Sequence, residues 1–324
     1  MKPAALPSSP AARSSAGARL RALLATGRTL FVPGCFDAMS ARMVEHLGFP
    51  AVYMSGYGTS LAMGGLPDVG LLTMSEMVQN ARLIAAAVRV PVIADADTGY
   101  GNALNAMRTV REYIGAGVAG IHLEDQVSPK RCGHVAGRLV LPLDEAVGKI
   151  RAADAARRDC DPDFVLVART DARGAHRGSL DDAIGRANAY LQAGADMAFV
   201  EGPTSEAEVE RICREVRGPV FYNMTGVSPR FALPRMEALG IRLCITGNTL
   251  LRACLMAMHE VGTRLRDEGP LAEQDFIERF DRHPVGNLHS FAGFDEVRRL
   301  ENAFLPAEDM AKYADSIGHQ PRAG

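Results

Sequence analysis

At 324 residues and 47% apolar side chains the chain can bury a large core, so two domains or one α/β barrel of ~250 residues with additions are expected. Its 36 Lys and Arg against 38 Asp and Glu leave a formal charge of −2, too small a field to attract a polyanion, and no aromatic-basic interleaving marks a nucleic-acid surface. No stretch approaches the ~20 uninterrupted apolar residues of a bilayer span, so the chain reads as soluble, with no membrane partner and a small molecule as its ligand.

The chain opens on "MKPAALPSSPAARSSAG", rich in Ala, Ser and Pro and free of acids, without the apolar core of a secretory signal. Residues 1–17 are read as a disordered tail, with an organelle transit peptide as the alternative. Six cysteines contain no C-x-x-C pair, and a chain this long needs no disulfide staples. They are read as reduced, which points to the cytoplasm.

From there short β-rich runs alternate with helical patterns. The predicted strands are 29–34, 51–56, 91–97, 120–125, 164–171, 197–202, 219–224 and 242–247. Between them lie amphipathic stretches such as 75–88, 143–158, 181–194 and 205–216, several opened by Ser, Thr or Asp. Eight alternations mean parallel strands with helical crossovers, and a closed (β/α)8 barrel over 18–269 accounts for them better than a doubly wound sheet. A long helix at 248–269 and shorter patterns near 272–281 and 294–302 exceed what a barrel needs. Residues 270–324 are therefore read as a helical extension that packs on another subunit.

Barrel chemistry sits at the C-terminal ends of the strands. Polar residues gather there: Ser55, Asp95, Asp97, Glu124, Asp125, Arg169, Asp171, Glu201 and Asn223. Asp95 and Asp97, at i and i+2, face one side, with Glu124 on the next strand. Three crowded carboxylates repel unless a cation sits between them, and all-oxygen ligation suits Mg²⁺ or Mn²⁺ over zinc. Singly, each acid is as readily a helix cap. Arg169 is either a bidentate clamp on a substrate carboxylate or a salt-bridge partner of Asp171. "SGYG" at 55–58 is a plain turn or a row of N–H groups for an oxyanion.

"SPKRCGHVAGR", residues 128–138, follows the fourth strand and places Cys132 among cations and glycines, in too polar a loop for a packing cysteine. It lacks the partners of a zinc ligand and the resolving neighbour of a redox thiol. Acyl-enzyme nucleophile and general acid remain, with Lys130, Arg131 and His134 expected to lower its pKa.

The ordered run "VPGCFDAMSA", "YMSGYG", "LPDVG", "DADTGYG", "GIHLEDQVSPKRCGH", "VARTDA" and "NTLLRA" resembles the isocitrate lyase/phosphoenolpyruvate mutase superfamily over nearly the whole chain. The resemblance implies a (β/α)8 barrel, Mg²⁺, keto- or hydroxy-acid substrates, and homotetramers that exchange a C-terminal helix. It makes Asp97 the nearest metal ligand, with Asp95 and Glu124 acting through waters and Asp68 nearby. Ser55, Gly56, Tyr57, Asp68, Gly133, His134, Arg169, Glu201, Asn223 and Arg252 would bind substrate, and Tyr53 would take part in proton transfer. "KRCGH" is similar to the signature of the carbon–carbon lyase branch, which makes Cys132 the general acid of a retro-aldol or retro-Claisen cleavage, with Gly133 and Gly137 as hinges of its loop. "NMTGVSP" lacks the acid usual in methylisocitrate lyases, and His289 stands where a second carboxylate clamp is sought. Gly247 replaces the serine usual in oxaloacetate hydrolases. A 2-alkylmalate is thus the expected substrate, with 2-methylisocitrate second. An oxaloacetate decarboxylase or hydrolase, a phosphonopyruvate-type enzyme, or a silent binding barrel are the alternatives.

Overall fold

In the computed structural model, which describes residues 14–314 and 316–322, eight parallel strands close into a barrel in sequence order. They are β1 (Leu30–Cys35), β2 (Val52–Met54), β3 (Val92–Asp95), β4 (Gly120–Glu124), β5 (Val165–Thr170), β6 (Met197–Val200), β7 (Val220–Asn223) and β8 (Ile241–Thr246). β8 pairs with β1 through Leu243 opposite Leu30, which seals the sheet. The helices are α1 (Ala16–Leu24), α2 (Ala38–His46), α3 (Gly56–Gly64), α4 (Met74–Ala87), α5 (Ala103–Gly115), α6 (Leu143–Cys160), α7 (Leu180–Gln192), α8 (Glu206–Glu215) and α9 (Leu233–Leu239). Side-chain caps mark their starts, as where Thr73 and Glu76 form a reciprocal capping box on α4.

The period of two along each strand separates two cores. Ile121, Leu123, Leu166 and Ala168 face outward into the layer shared with the helices. Tyr53, Ile93, Val167, Phe199, Phe221 and Ile245 face inward. Leu20 of α1 joins this inner cluster. Two residues further along each strand the same inward alternation delivers Ser55, Asp95, Arg169, Glu201, Asn223 and Gly247 to the C-terminal mouth. The hydrophobic filling of the barrel thereby determines where the polar mouth lies.

Two expected boundaries move. The first 13 residues of the expected tail lie outside the described residues, and α1 is already capped by Ser15. Gly17 is pressed so closely on the backbone that a Cβ would lie 2.5 Å from the Asp163 carbonyl, so order begins before residue 18. The chain divides between Ala253 and Cys254 instead of at 269. The cause is α10 (Thr249–Glu268), one unbroken helix whose first turn belongs to the barrel unit. The second unit contains α11 (Ala272–Asp281), α12 (Leu288–Ala292), α13 (Phe294–Phe304) and a 3-10 turn, Ala307–Tyr313. This unit, with the part of α10 from Cys254 onward, exposes Met256, Met258, Leu271, Leu288 and Phe304, each more than 60% accessible. Among the described residues no helix is long and apolar enough to cross a membrane.

Candidate active site

A cavity of about 40 Å³ opens at the mouth, lined by Tyr53, Ser55, Tyr57, Asp68, Asp95, Cys132, Gly133, His134, Arg169, Glu201, Asn223, Thr225, Ile245, Gly247 and Asn248. Its floor is the top of the barrel filling. The Tyr53 hydroxyl lies 2.9 Å from His122 Nε2, and His122 is wedged edge-on against Phe199 and Phe221. Burial depresses the His122 pKa to about 4, so the ring is neutral. Burial also raises the Tyr53 hydroxyl well above the ordinary tyrosine range, so it holds its proton at neutral pH.

On one wall Ser55 caps α3, accepting from Gly58 N at 3.1 Å and donating to Asn248 Oδ1 at 2.9 Å. Gly56 lies so close to Asp95 that a Cβ would be 2.4 Å from the carboxylate oxygen. "SGYG" is therefore the first turn of a helix whose free N–H groups begin at the mouth.

The opposite wall is a charge network. Arg169 bonds Asp171 twice, Nε at 2.9 Å and Nη2 at 3.0 Å, and lies 3.3 Å from Glu124 and 3.5 Å from Glu201. The Asp171 partnership is real, yet Arg169 also lines the cavity. Asp171 accepts as well from Arg138, which comes from the loop after β4. Asn223 donates to Glu201 at 3.2 Å, while Thr225 and Asn223 approach His134 Nε2 at 3.2 and 3.4 Å.

The loop after β4 is folded down onto this network. A Cβ on Gly133 would lie 2.4 Å from Arg169 Nη2 and 2.6 Å from Glu201 Cγ, so only glycine seats the loop this deep. Gly137, with φ +89°, supplies a bend that a side chain resists. Cys132 is half-buried, and desolvation raises its pKa above the usual thiol value. This reverses the lowering expected from its cationic neighbours. Lys130 is already neutralised by Asp68 and Asp97, so burial wins, and the thiol holds its proton as a general acid must.

The three expected metal ligands are close but not preassembled. Asp97 sits just past β3 with φ +48°, its N–H donating to Asp95 Oδ1 at 2.9 Å. Lys130 Nζ stands 2.8 Å from Asp97 Oδ1 and also contacts Asp68, and as they stand no three His, Cys, Asp or Glu side chains among the described residues form an ion-holding group. The donors nonetheless fit a hard divalent cation. Both Glu124 carboxylate oxygens and Asp97 Oδ1 are buried without a directed hydrogen bond. Desolvation raises Glu124 well above the usual range and Asp97 to about 6, in spite of Arg169 beside the first and Lys130 beside the second.

Other expectations resolve individually. Asp125 faces outward to Tyr190 (2.7 Å) and Arg186 (3.4 Å), because alternation puts it opposite Glu124. Arg252 is exposed one helical turn beyond Asn248 and does not line the cavity. His289 stacks on His319, centroids 4.9 Å apart, with Phe294 edge-on. Sequence reading missed His122, Thr225 and Asn248. His122 had a signal, an imidazole at i−2 from Glu124 in a strand, and therefore on the inward side.

A (β/α)8 barrel with carboxylates, arginine and a loop-borne thiol converging at its C-terminal mouth defines a barrel enzyme. The phosphoenolpyruvate phosphomutase family matches residues 20–266. The 2,3-dimethylmalate lyase of Eubacterium barkeri is 44% identical over 89% of this chain and 97% of its own. The 2-methylisocitrate lyase of Aeropyrum pernix is 40% identical over 93% and 95%. A solved oxaloacetate acetylhydrolase bearing 3,3-difluorooxalacetate superposes with a TM-score of 0.82 at 37% identity, over 89% of this chain and 97% of that one. The chain belongs to the phosphoenolpyruvate mutase/isocitrate lyase superfamily, as its motifs implied.

Proposed function

We propose that this enzyme is a divalent-metal-dependent lyase that cleaves a carbon–carbon bond of a 2-hydroxy di- or tricarboxylate, a 2-alkylmalate in the first instance and 2-methylisocitrate in the second. The observation that carries this reading is that Cys132 shares one small cavity with Arg169 and Asp95 while keeping its proton. Mg²⁺ or Mn²⁺ at Asp97, Asp95 and Glu124 would polarise the 2-oxygen of the substrate and stabilise negative charge there. Arg169, pinned by Asp171, binds the neighbouring carboxylate, and the α3 N-terminus at Gly56–Tyr57 offers N–H groups to a carboxylate oxygen. As the bond breaks, the 2-hydroxyl proton passes to one of the mouth's carboxylates and C2 becomes a keto carbon, while the bonding pair stays on the departing fragment as an enolate, which takes the Cys132 proton. Glu201, Asn223 and His134 hold the far end of the substrate, and the folded loop excludes water.

Gly247 favours lyase over hydrolase chemistry. It lies beside Ser55 and Tyr53 in the cavity, so no hydroxyl is presented where the resemblance puts the serine of oxaloacetate hydrolases. Homotetramer formation through the exposed apolar residues of α10–α13 belongs to the same reading, as does a cytoplasmic setting. The test is one assay of purified protein with Mg²⁺ against 2-alkylmalates, 2-methylisocitrate, oxaloacetate and phosphonopyruvate. Keto-acid release from an alkylmalate supports the reading, and turnover of oxaloacetate or phosphonopyruvate alone refutes it.

A further inference from the structure

Helix α6 packs on the barrel through a stripe that includes Ala146, Ile150 and Ala153, and one member of that stripe is a lysine. Lys149 is 4% exposed, and its ammonium donates to a backbone carbonyl, that of Thr98 in the turn after β3. Desolvation lowers its pKa, against the pull of Glu145, Glu124 and Asp125. Burying a lysine is costly, and an unbranched methionine would fill the same space. Packing therefore does not account for the charge, and the lyase reading gives Lys149 no task. The turn that it grips, residues 97–101, is strained. φ is +48° at Asp97, +76° at Gly99, +58° at Tyr100 and +146° at Gly101, and two of these residues are not glycine. Such a run persists only where its surroundings hold it. Four successive carbonyls are held: Tyr113 Oη donates to Asp95 O, Gly99 N to Ala96 O and Glu124 N to Asp97 O, each at 2.9 Å, and Lys149 Nζ donates to Thr98 O. Three of these donors are neutral. The fourth is charged, and charge-assisted bonds are roughly twice as strong.

We propose that Lys149 is a positioning residue: from the outer helical layer it holds the Thr98 carbonyl, and with it the left-handed backbone that aims the Asp97 carboxylate. This rests on the metal-site reading above, in which Asp97 is the nearest ligand. Lys149 does not line the cavity at the mouth, so it acts through the turn and touches no substrate. Thr98 is the residue of ordinary φ inside the left-handed run, and once its carbonyl is released the peptides on either side are free to relax. Asp97 would then lose the one orientation that its strained backbone gives it. The sign of the effect on a bound cation separates this role from simple electrostatics. Removing a positive charge near Glu124 makes the site more negative and should tighten cation binding, whereas releasing the turn should weaken it.

The full-length protein is titrated with Mn²⁺ and the bound ion is followed by electron paramagnetic resonance. Lys149→Met, which keeps the length of the side chain and removes the donor, should bind Mn²⁺ about 10–100-fold more weakly, the usual effect of losing a group that orients a ligand. Lys149→Arg, which keeps a charged donor, should recover part of that loss. Ile150→Val removes a methyl group from the same stripe without touching the turn, so it should leave Mn²⁺ affinity unchanged. Binding by Lys149→Met as tight as the wild type, or tighter, overturns the inference while the metal site stands. An equal loss in Ile150→Val also overturns it, because general loosening of α6 would then suffice. If Mn²⁺ fails to bind the wild type, or binds Asp97→Asn equally well, the metal-site reading falls and this inference with it. Should Lys149→Met not fold, Lys149→Gln, polar but one bond too short to reach the carbonyl, is read by the same outcomes.

Discussion

Adding one methyl group to Gly133 should disable the enzyme without unfolding it. The new Cβ would stand 2.4 Å from Arg169 Nη2 and 2.6 Å from Glu201 Cγ, about 1 Å inside the ~3.5 Å contact of heavy atoms. Arg169 cannot swing aside without breaking its bonds to Asp171 at 2.9 and 3.0 Å, so the loop must rise. Overpacking of this kind costs about 1–3 kcal/mol. That cost falls on loop closure, because the loop can lift into solvent while the barrel stays intact. Gly133 has no positive φ, so alanine adds no backbone strain. Lifting Cys132 by about 1 Å should lower kcat/KM about 10²-fold, the usual penalty for misplacing a catalytic group. The Tm should move by no more than about 2–4 °C, the shift of a single kcal/mol in a domain of this size. The assay is steady-state keto-acid release for Gly133→Ala against Gly148→Ala, an α6 glycine with nothing within 4 Å. A Gly133→Ala enzyme as active as the wild type would show that the loop does not work from this seat.

Cys132→Ser should keep substrate-analogue binding, measured by calorimetry, but lose roughly 10²–10⁴ in turnover, because the proton donor is gone while Arg169 is untouched; retention of most activity removes the thiol from the mechanism. EDTA should abolish turnover and Mg²⁺ or Mn²⁺ restore it, whereas full activity in chelator refutes the carboxylate site. Asp97→Asn should be inactive even with excess Mg²⁺ or Mn²⁺, because the nearest expected ligand has lost its charge while Lys130 keeps Asp68 as its partner; turnover equal to the wild type contradicts it. The apolar side chains of α10–α13 should make the protein oligomeric, and a strictly monomeric mass by light scattering at micromolar concentration defeats that expectation.

Residues 20–266 carry their fold openly in the sequence. Eight β-rich runs at barrel spacing predicted all eight strands to within a few residues, because each must be apolar on both faces to fill the barrel and to seat the helices. Alternation then placed Asp95, Glu124 and Arg169 at the mouth, two residues beyond an inward-facing neighbour. The polar loop around Cys132 was conspicuous for the opposite reason, since nothing in a hydrophobic period accounts for it. What only the tertiary structure decided is which charge meets which. Lys130 read as a neighbour that acidifies a thiol, and in the fold it turns away to Asp68, 62 residues distant in sequence. Asp171 is shared between Arg169 and Arg138, and Arg252, one helical turn past the mouth, stays outside it. Periodicity states which side of an element a residue occupies, but ion pairs depend on distances of a few ångströms between loops from different strands. Those distances exist only after the barrel has closed.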